Sequence, residues 1–145
     1  MVCSAVSEES LYLRPPEAEG RPEPVDLQPL IAAGVLTPCQ IEGVAEEDLY
    51  VAYALELDDG EAMSLAIAQS RNLVLATDER KARRLARENV PQLSIISTAE
   101  IIRAWAEEKE RRDIIGAVRS ILARARFRPA DSDPLALWWN EMLDG

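Results

Sequence analysis

Apolar positions along this chain change spacing from one segment to the next, and the changes mark an alternation of strands and helices. Met1 to Val6 (Met-Val-Cys-Ser-Ala-Val) is short and largely apolar and predicts a strand. A helix is predicted from about Ser7 to Leu13, with Glu8 and Glu9 in the first turn, where the helix dipole favours acidic side chains. Pro15, Pro16, Gly20, Pro22 and Pro24 make Arg14 to Asp26 a loop. Leu27 to Ala33 reads as a short helix stopped by Gly34. Val35 to Ile41 has strand character, and Pro38 confines it to an edge or irregular strand.

Helical spacing then dominates. One helix is predicted from about Glu46 to Leu57, with Leu49 and Tyr53 (and Val51 and Ala52) toward a core, and a second from Gly60 to Ser70, with Met63, Leu65, Ile67 and Ala68 apolar. Leu73 to Thr77 is a continuous apolar run short enough for a buried parallel strand. Glu79 to Glu88 is a helix and Leu93 to Ile96 another buried strand. Ser97-Thr98-Ala99-Glu100 has the S-x-x-E spacing of a capping box, opening a helix to about Glu108. Helices from about Asp113 to Arg124 and from Pro134 to Leu143 follow, the last with Asp133 as N-cap and Pro134 in its first turn. Strand, helix, strand, helix over residues 73–108 is a βαβ crossover pattern, which implies a parallel sheet with helices on its faces. In such sheets a ligand site lies beyond the carboxyl ends of the strands, and Thr77 and Asp78 stand at such an end.

Composition narrows the chemistry. At 145 residues, with 48% apolar and only 5% aromatic side chains, the chain is long enough to bury an aliphatic core. It has no His, so serine–histidine and cysteine–histidine hydrolase chemistry and histidine metal sites are excluded, and any catalysis must run on carboxylates. Cys3 and Cys39 lack the spacing of a zinc site. No run approaches a membrane span and no secretory signal is visible, so the chain is expected to be soluble and cytoplasmic, its cysteines unbridged. The net charge of −10 is unevenly spread: residues 1–70 carry −12, residues 71–128 carry +6 and residues 129–145 carry −4. An acidic whole argues against nonspecific nucleic-acid binding, while the basic middle permits it locally.

The candidate chemistry sits in Asp58-Asp59-Gly60-Glu61-Ala62 and in Ala76-Thr77-Asp78-Glu79-Arg80-Lys81-Ala82-Arg83. A carboxylate at a helix start and another at a strand end can share one hard cation. Read without a metal, Glu61 is a first-turn glutamate behind an Asp58 cap and Asp78 is the N-cap of the next helix. Arg80, Lys81, Arg83, Arg84 and Arg87 crowd that next helix, either to hold phosphates or as a solvated face balanced by Glu79 and Glu88. Leu135, Trp138, Trp139 and Met142 form a stripe that is core or a partner-binding tail.

The order of helix, strand, acidic pair and basic helix resembles the middle of PIN-domain nucleases, metal-dependent ribonucleases that include the toxins of many toxin–antitoxin pairs. The resemblance covers roughly residues 1–110. It implies an α/β fold, a PIN-like three-layer sandwich with a parallel sheet flanked by helices. It also implies a PIN-like domain over residues 1–128 with residues 129–145 as a helical tail. Mg²⁺ or Mn²⁺ is the implied cofactor, held by Glu61 and Asp78, with Thr77 and Glu79 assisting catalysis and Arg80, Lys81, Arg83, Arg84 and Arg87 binding RNA. RNA, an antitoxin protein and a second copy of the chain are the candidate partners. The family pattern begins with a strand ending in a first Asp, whereas this chain begins at what resembles the second strand. The expectation is therefore an N-terminally truncated nuclease, inactive in this form. The alternative is a non-catalytic PIN-like remnant that binds RNA or protein.

Overall fold

The computed structural model describes residues 1–8, 12–15 and 21–145. In chain order its first elements are β1 (Val2–Cys3), α1 (Ser4–Glu8), β2 (Tyr12–Leu13), β3 (Glu23–Pro24), α2 (Gln28–Ala32), β4 (Pro38–Cys39) and α3 (Gly43–Ala54). They are followed by α4 (Asp59–Ser70), β5 (Leu75–Ala76), α5 (Arg80–Asn89), β6 (Ile95–Ile96), α6 (Thr98–Trp105) and α7 (Arg111–Ser120). A π-helical turn (Ile121–Ala125) and α8 (Ala136–Asp144) complete the chain. The described residues divide into two compact units, one of residues 1–8 and 26–96, the other of residues 12–15, 21–25 and 97–145.

The first unit is a mixed α/β body. β1 pairs in parallel with β4 (Val2 opposite Pro38, Cys3 opposite Cys39), and β5 pairs in parallel with β6 (Leu75 opposite Ile95, Ala76 opposite Ile96). The predicted βαβ crossover is thus present as β5–α5–β6, but the predicted single sheet is two separate pairs. Between them lies a cavity of about 400 Å³, walled by Val2 and Cys3 of β1 and Leu75 and Ala76 of β5 over Ile67 and Ala68 of α4. Helix α4 supplies more of the core than any other element, with Ala62, Leu65 and Ala66 sealed from solvent among Leu75, Leu85, Ala86 and Leu93. Cys3 and Cys39 are both free thiols. Burial, reinforced by the neighbouring Cys3, pushes the Cys39 thiol above its ordinary range.

Helix ends follow local chemistry. Helix α4 starts at the Asp58 cap, whose Oδ1 accepts from the Glu61 amide at 2.9 Å. It stops at Asn72, which takes the left-handed conformation (φ +51°). The Leu73 amide then bonds the Ala68 carbonyl at 2.9 Å, closing a Schellman-type end. Helix α3 begins at Gly43, three residues before its predicted start, because Glu46 reaches back to the Glu42 amide at 2.8 Å and closes an extra turn. The same carboxylate receives Arg71 Nε and Nη2, each at 2.8 Å, while Nη2 also bonds the Gln40 carbonyl at 2.7 Å. One guanidinium therefore joins the end of α4, the start of α3 and the segment before it. Glu46 is 4% exposed, and the Arg71 guanidinium holds its carboxyl at about 2, well below the usual carboxylate value, against the opposing effect of burial.

Several predicted boundaries move. The strand predicted over Met1–Val6 ends at Cys3, because its partner β4 offers two residues, and the chain coils into α1 with Ser4 Oγ against Met63 Sδ at 3.6 Å. The helix predicted over Ser7–Leu13 is replaced at Tyr12–Leu13 by a strand, and its residues 9–11, Glu9 among them, lie outside the described residues. Within the predicted loop Arg14–Asp26, Glu23–Pro24 pairs antiparallel with Tyr12–Leu13, and Glu23 is ion-paired to Arg124; residues 16–20 lie outside the described residues.

The second unit is mainly helical. Its core is Ala99, Ile114, Val118, Trp139 and Met142, so the stripe on α8 is largely core. Trp139 meets Phe127 edge to face, centroids 5.4 Å apart, whereas the adjacent Trp138 stays half-buried with the Arg103 guanidinium over its ring. Helix α8 starts two residues later than predicted, because Asp133 Oδ1 accepts from the Leu135 amide (2.8 Å) in a turn ahead of the helix. Helix α7 runs from Arg111 and passes into the π turn, ending at Arg126 with φ +55°. Helix α6 tightens after Trp105, where the Glu107 and Glu108 amides bond carbonyls three residues back. It opens with both halves of the predicted capping box, Ser97 Oγ accepting from the Glu100 amide (3.1 Å) and Glu100 Oε2 from the Ser97 amide (2.7 Å). Ser97→Ala is expected to cost about 1 kcal/mol in urea unfolding, and Ser97→Asp to retain most of the cap. No helix among the described residues is long and apolar enough to cross a membrane.

Candidate active site

Glu61 is the third residue of α4, held there by the Asp58 cap, and the amides exposed at this helix start favour its negative charge. Asp59 beside it is engaged, its Oδ1 accepting from the Tyr50 hydroxyl at 3.0 Å. Thr77 leaves the end of β5, its amide fixed by the Ile96 carbonyl at 3.0 Å. Glu61 and Thr77 are both half-buried and line one cavity of about 130 Å³, with Gly60 and Ser64 of α4, Ala76 and Ala82. Asp78, the next residue along the chain, is exposed and is not among the residues lining that cavity.

The turn from β5 into α5 is built from side chains. Thr77 Oγ1 accepts from the Glu79 amide at 3.1 Å, and Glu79 Oε1 accepts from the Lys81 amide at 3.1 Å. Glu79, rather than Asp78, is therefore the N-cap of α5. The Thr77 hydroxyl, having accepted one hydrogen bond, still has its own proton to donate.

The basic helix divides by partner. Arg83 is half-buried and donates to the Thr77 carbonyl at 3.1 Å, bracing the strand end. Arg84 bridges Glu88 at 2.8 Å and Glu56 at 3.2 Å, and Lys81 bonds the Glu56 backbone carbonyl. Arg80 and Arg87 are exposed and make no ion pair among the described residues. Sequence spacing does not reveal the role of Glu56, because it lies 28 residues from Arg84 in a different helix–turn segment.

Among the described residues no group of three or more His, Cys, Asp or Glu side chains is placed to hold a metal ion. Mg²⁺ commonly binds through one or two carboxylates and keeps several waters, and Glu61 and Asp78 carry carboxylate oxygens of that kind. The unit thus has a carboxylate at a helix start, a hydroxyl and a carboxylate at a strand end and a basic helix next to them. The PIN-domain family model matches residues 4–132, and this chain belongs to the PIN-domain family. Membership carries a nuclease-type function, and PIN domains generally use divalent metal ions. No curated protein and no solved structure matches the chain.

Proposed function

We propose that this chain is a PIN-type ribonuclease of toxin-like character, with Glu61 and Asp78 as ligands of Mg²⁺ or Mn²⁺. The observation that carries the reading is the pairing of Glu61 with Thr77 on one small cavity at the end of β5, next to Asp78. A divalent ion held by these carboxylates would supply an activated water and neutralise charge building on a phosphodiester. Thr77 donates its remaining proton to orient a carboxylate or a water, and its carbonyl is fixed by Arg83. Glu79 assists through the local field while capping α5. Arg80 and Arg87 make the strongest phosphate contacts, with Lys81, Arg83 and Arg84 adding long-range attraction. An antitoxin protein and a second copy of this chain are the protein partners of such a toxin.

A second reading, an RNA- or protein-binding module without turnover, is favoured by the engagement of Glu79 in the α5 cap and of Lys81 and Arg84 with Glu56. Mn²⁺ titration followed by electron paramagnetic resonance tests the metal site directly. Glu61→Gln and Asp78→Asn are each expected to weaken Mn²⁺ binding at least tenfold, and any RNA cleavage the parent shows in Mg²⁺ or Mn²⁺ to fall with it. Cleavage absent with Mn²⁺ bound selects the second reading. Unchanged Mn²⁺ affinity in both variants overturns the metal assignment.

A further inference from the structure

A cavity of about 170 Å³ in the second unit is not accounted for by the candidate active site. Its walls are Arg103, Lys109, Arg111 and Trp138, over Ile114 and Met142. Arg103 stacks on Trp138, with the guanidinium carbon 5.4 Å from the ring centroid. Among the described residues Arg111 Nη2 donates to a backbone acceptor, the Glu141 carbonyl at 3.5 Å. Of the acids beside them in sequence, Glu110 and Asp113 lie 3.0 and 3.7 Å from Arg112, and among the described residues Glu107 and Glu108 form no ion pair with the three cations. Among the described residues none of the three cations lining the cavity is ion-paired.

Three cations around one small cavity repel each other unless an anion lies between them. Lys109 supplies a mobile point charge and Arg111 a fixed fork of donors, a combination suited to phosphate oxygens. The indole of Trp138, the guanidinium plane of Arg103 and the apolar floor suit a flat ring. Stacking of a base on an aromatic side chain or an arginine plane is how unpaired nucleic-acid strands are held.

We propose that this cavity is a subsite for single-stranded RNA, one base lying against Trp138 and Arg103 and the adjoining phosphate held by Lys109 and Arg111. The cations and the indole call for a phosphate-bearing nucleotide; the choice of RNA rests on the nuclease reading. The test is binding of a fluorescein-labelled octauridylate to the full chain in EDTA, by anisotropy over a salt series. With no metal present, the result does not depend on Glu61 or Asp78, so failure of the metal site and failure of this subsite are distinguishable.

Lys109→Gln with Arg111→Gln changes two exposed positions and leaves both core clusters intact. This double variant is expected to weaken binding about tenfold at roughly 0.1 M salt. The slope of log affinity on log salt should flatten by about 0.7 for each phosphate that the variant no longer holds. Trp138→Leu is expected to weaken binding by roughly tenfold with the slope unchanged. Where Trp138→Leu does not fold, the double variant decides. Equal affinity and slope in the double variant and the parent overturn the proposal, as does a parent chain that does not bind the octauridylate. Binding of an oligoglutamate peptide in place of the RNA reassigns the cavity to an acidic protein partner and also overturns it.

Discussion

Trp139→Ala is expected to lower stability by about 3–5 kcal/mol, the range for deleting a fully buried aromatic side chain. Trp139 is wholly sealed from solvent, and it sits among Ala99, Ile114, Val118 and Met142, none of which can expand to fill the space. A domain of this size commonly has a total margin of ~5–15 kcal/mol, so the loss is a large part of it. Trp139→Phe should behave very differently. The Trp139 Nε1 donor is buried without a hydrogen-bond partner among the described residues, and removing it relieves a desolvated N–H while keeping the edge packing against Phe127. The loss from the smaller ring and the relief of the orphan donor oppose each other, and the net cost is expected to stay below about 1.5 kcal/mol. Urea unfolding of both variants, followed by circular dichroism, checks the pair. A loss of similar size in both would show that ring volume, rather than the presence of any ring, sets the packing.

The second large effect concerns the first unit. Glu46→Gln removes the charge that Arg71 holds with two bonds of 2.8 Å, and it weakens the acceptor of the Glu42 amide. The expected loss is about 2 kcal/mol at neutral pH, a value typical of hydrogen bonds to charged groups. It falls short of the ~3–5 kcal/mol seen when a fully buried ion pair is broken, because the Arg71 side chain is 24% exposed and water can solvate it. The pH dependence has a definite sign. The Glu46 carboxyl is at about 2 in the folded chain and near its ordinary value of 4.5 when unfolded, so the unfolded state binds the extra proton between those values. Its contribution is therefore fully present above pH 4.5 and is lost as pH falls through about 2. Thermal melts of the parent and Glu46→Gln between about pH 2 and pH 7 should converge toward the acid end. Parallel curves over that range would mean the ion pair contributes no pH-dependent stability.

What is legible in the sequence is governed by short-range rules. The Ser97–Glu100 box, the Asp58 cap of α4 and the β5–α5–β6 crossover depend on residues close in the chain; the two caps stand where their spacing predicts, and the crossover keeps its place with each predicted buried strand cut to two residues, of which only Leu75 is fully buried. Glu61 and Thr77 come together because the helix start and the strand end are both identifiable from local pattern. The Glu46–Arg71 brace is not legible, since its partners are 25 residues apart and neither belongs to a recognisable pattern. Nor is the division of labour among the arginines of α5, which is set by Glu56, a residue of another segment. Val2 to Val6 misleads for a related reason. Its apolar run suits a strand, but a strand persists only as far as its partner does, and β4 lasts two residues.

The brevity of these strands bears on how readily a foreign chain could pair with their open edges. In β5 the Leu75 and Thr77 amides both turn toward β6, so the N–H and C=O of the intervening Ala76 face the opposite way. Ala76 is exposed, and a row of such groups is the surface on which foreign chains add themselves and polymerise. Here the row is one residue long. A single donor and acceptor cannot fix the register of an incoming strand, and an added chain without a fixed register gains too little pairing to stay. Lengthening the apolar run beyond Ala76 would remove that protection, so the polar Thr77-Asp78-Glu79 turn that closes β5 also acts as its guard against fibre growth.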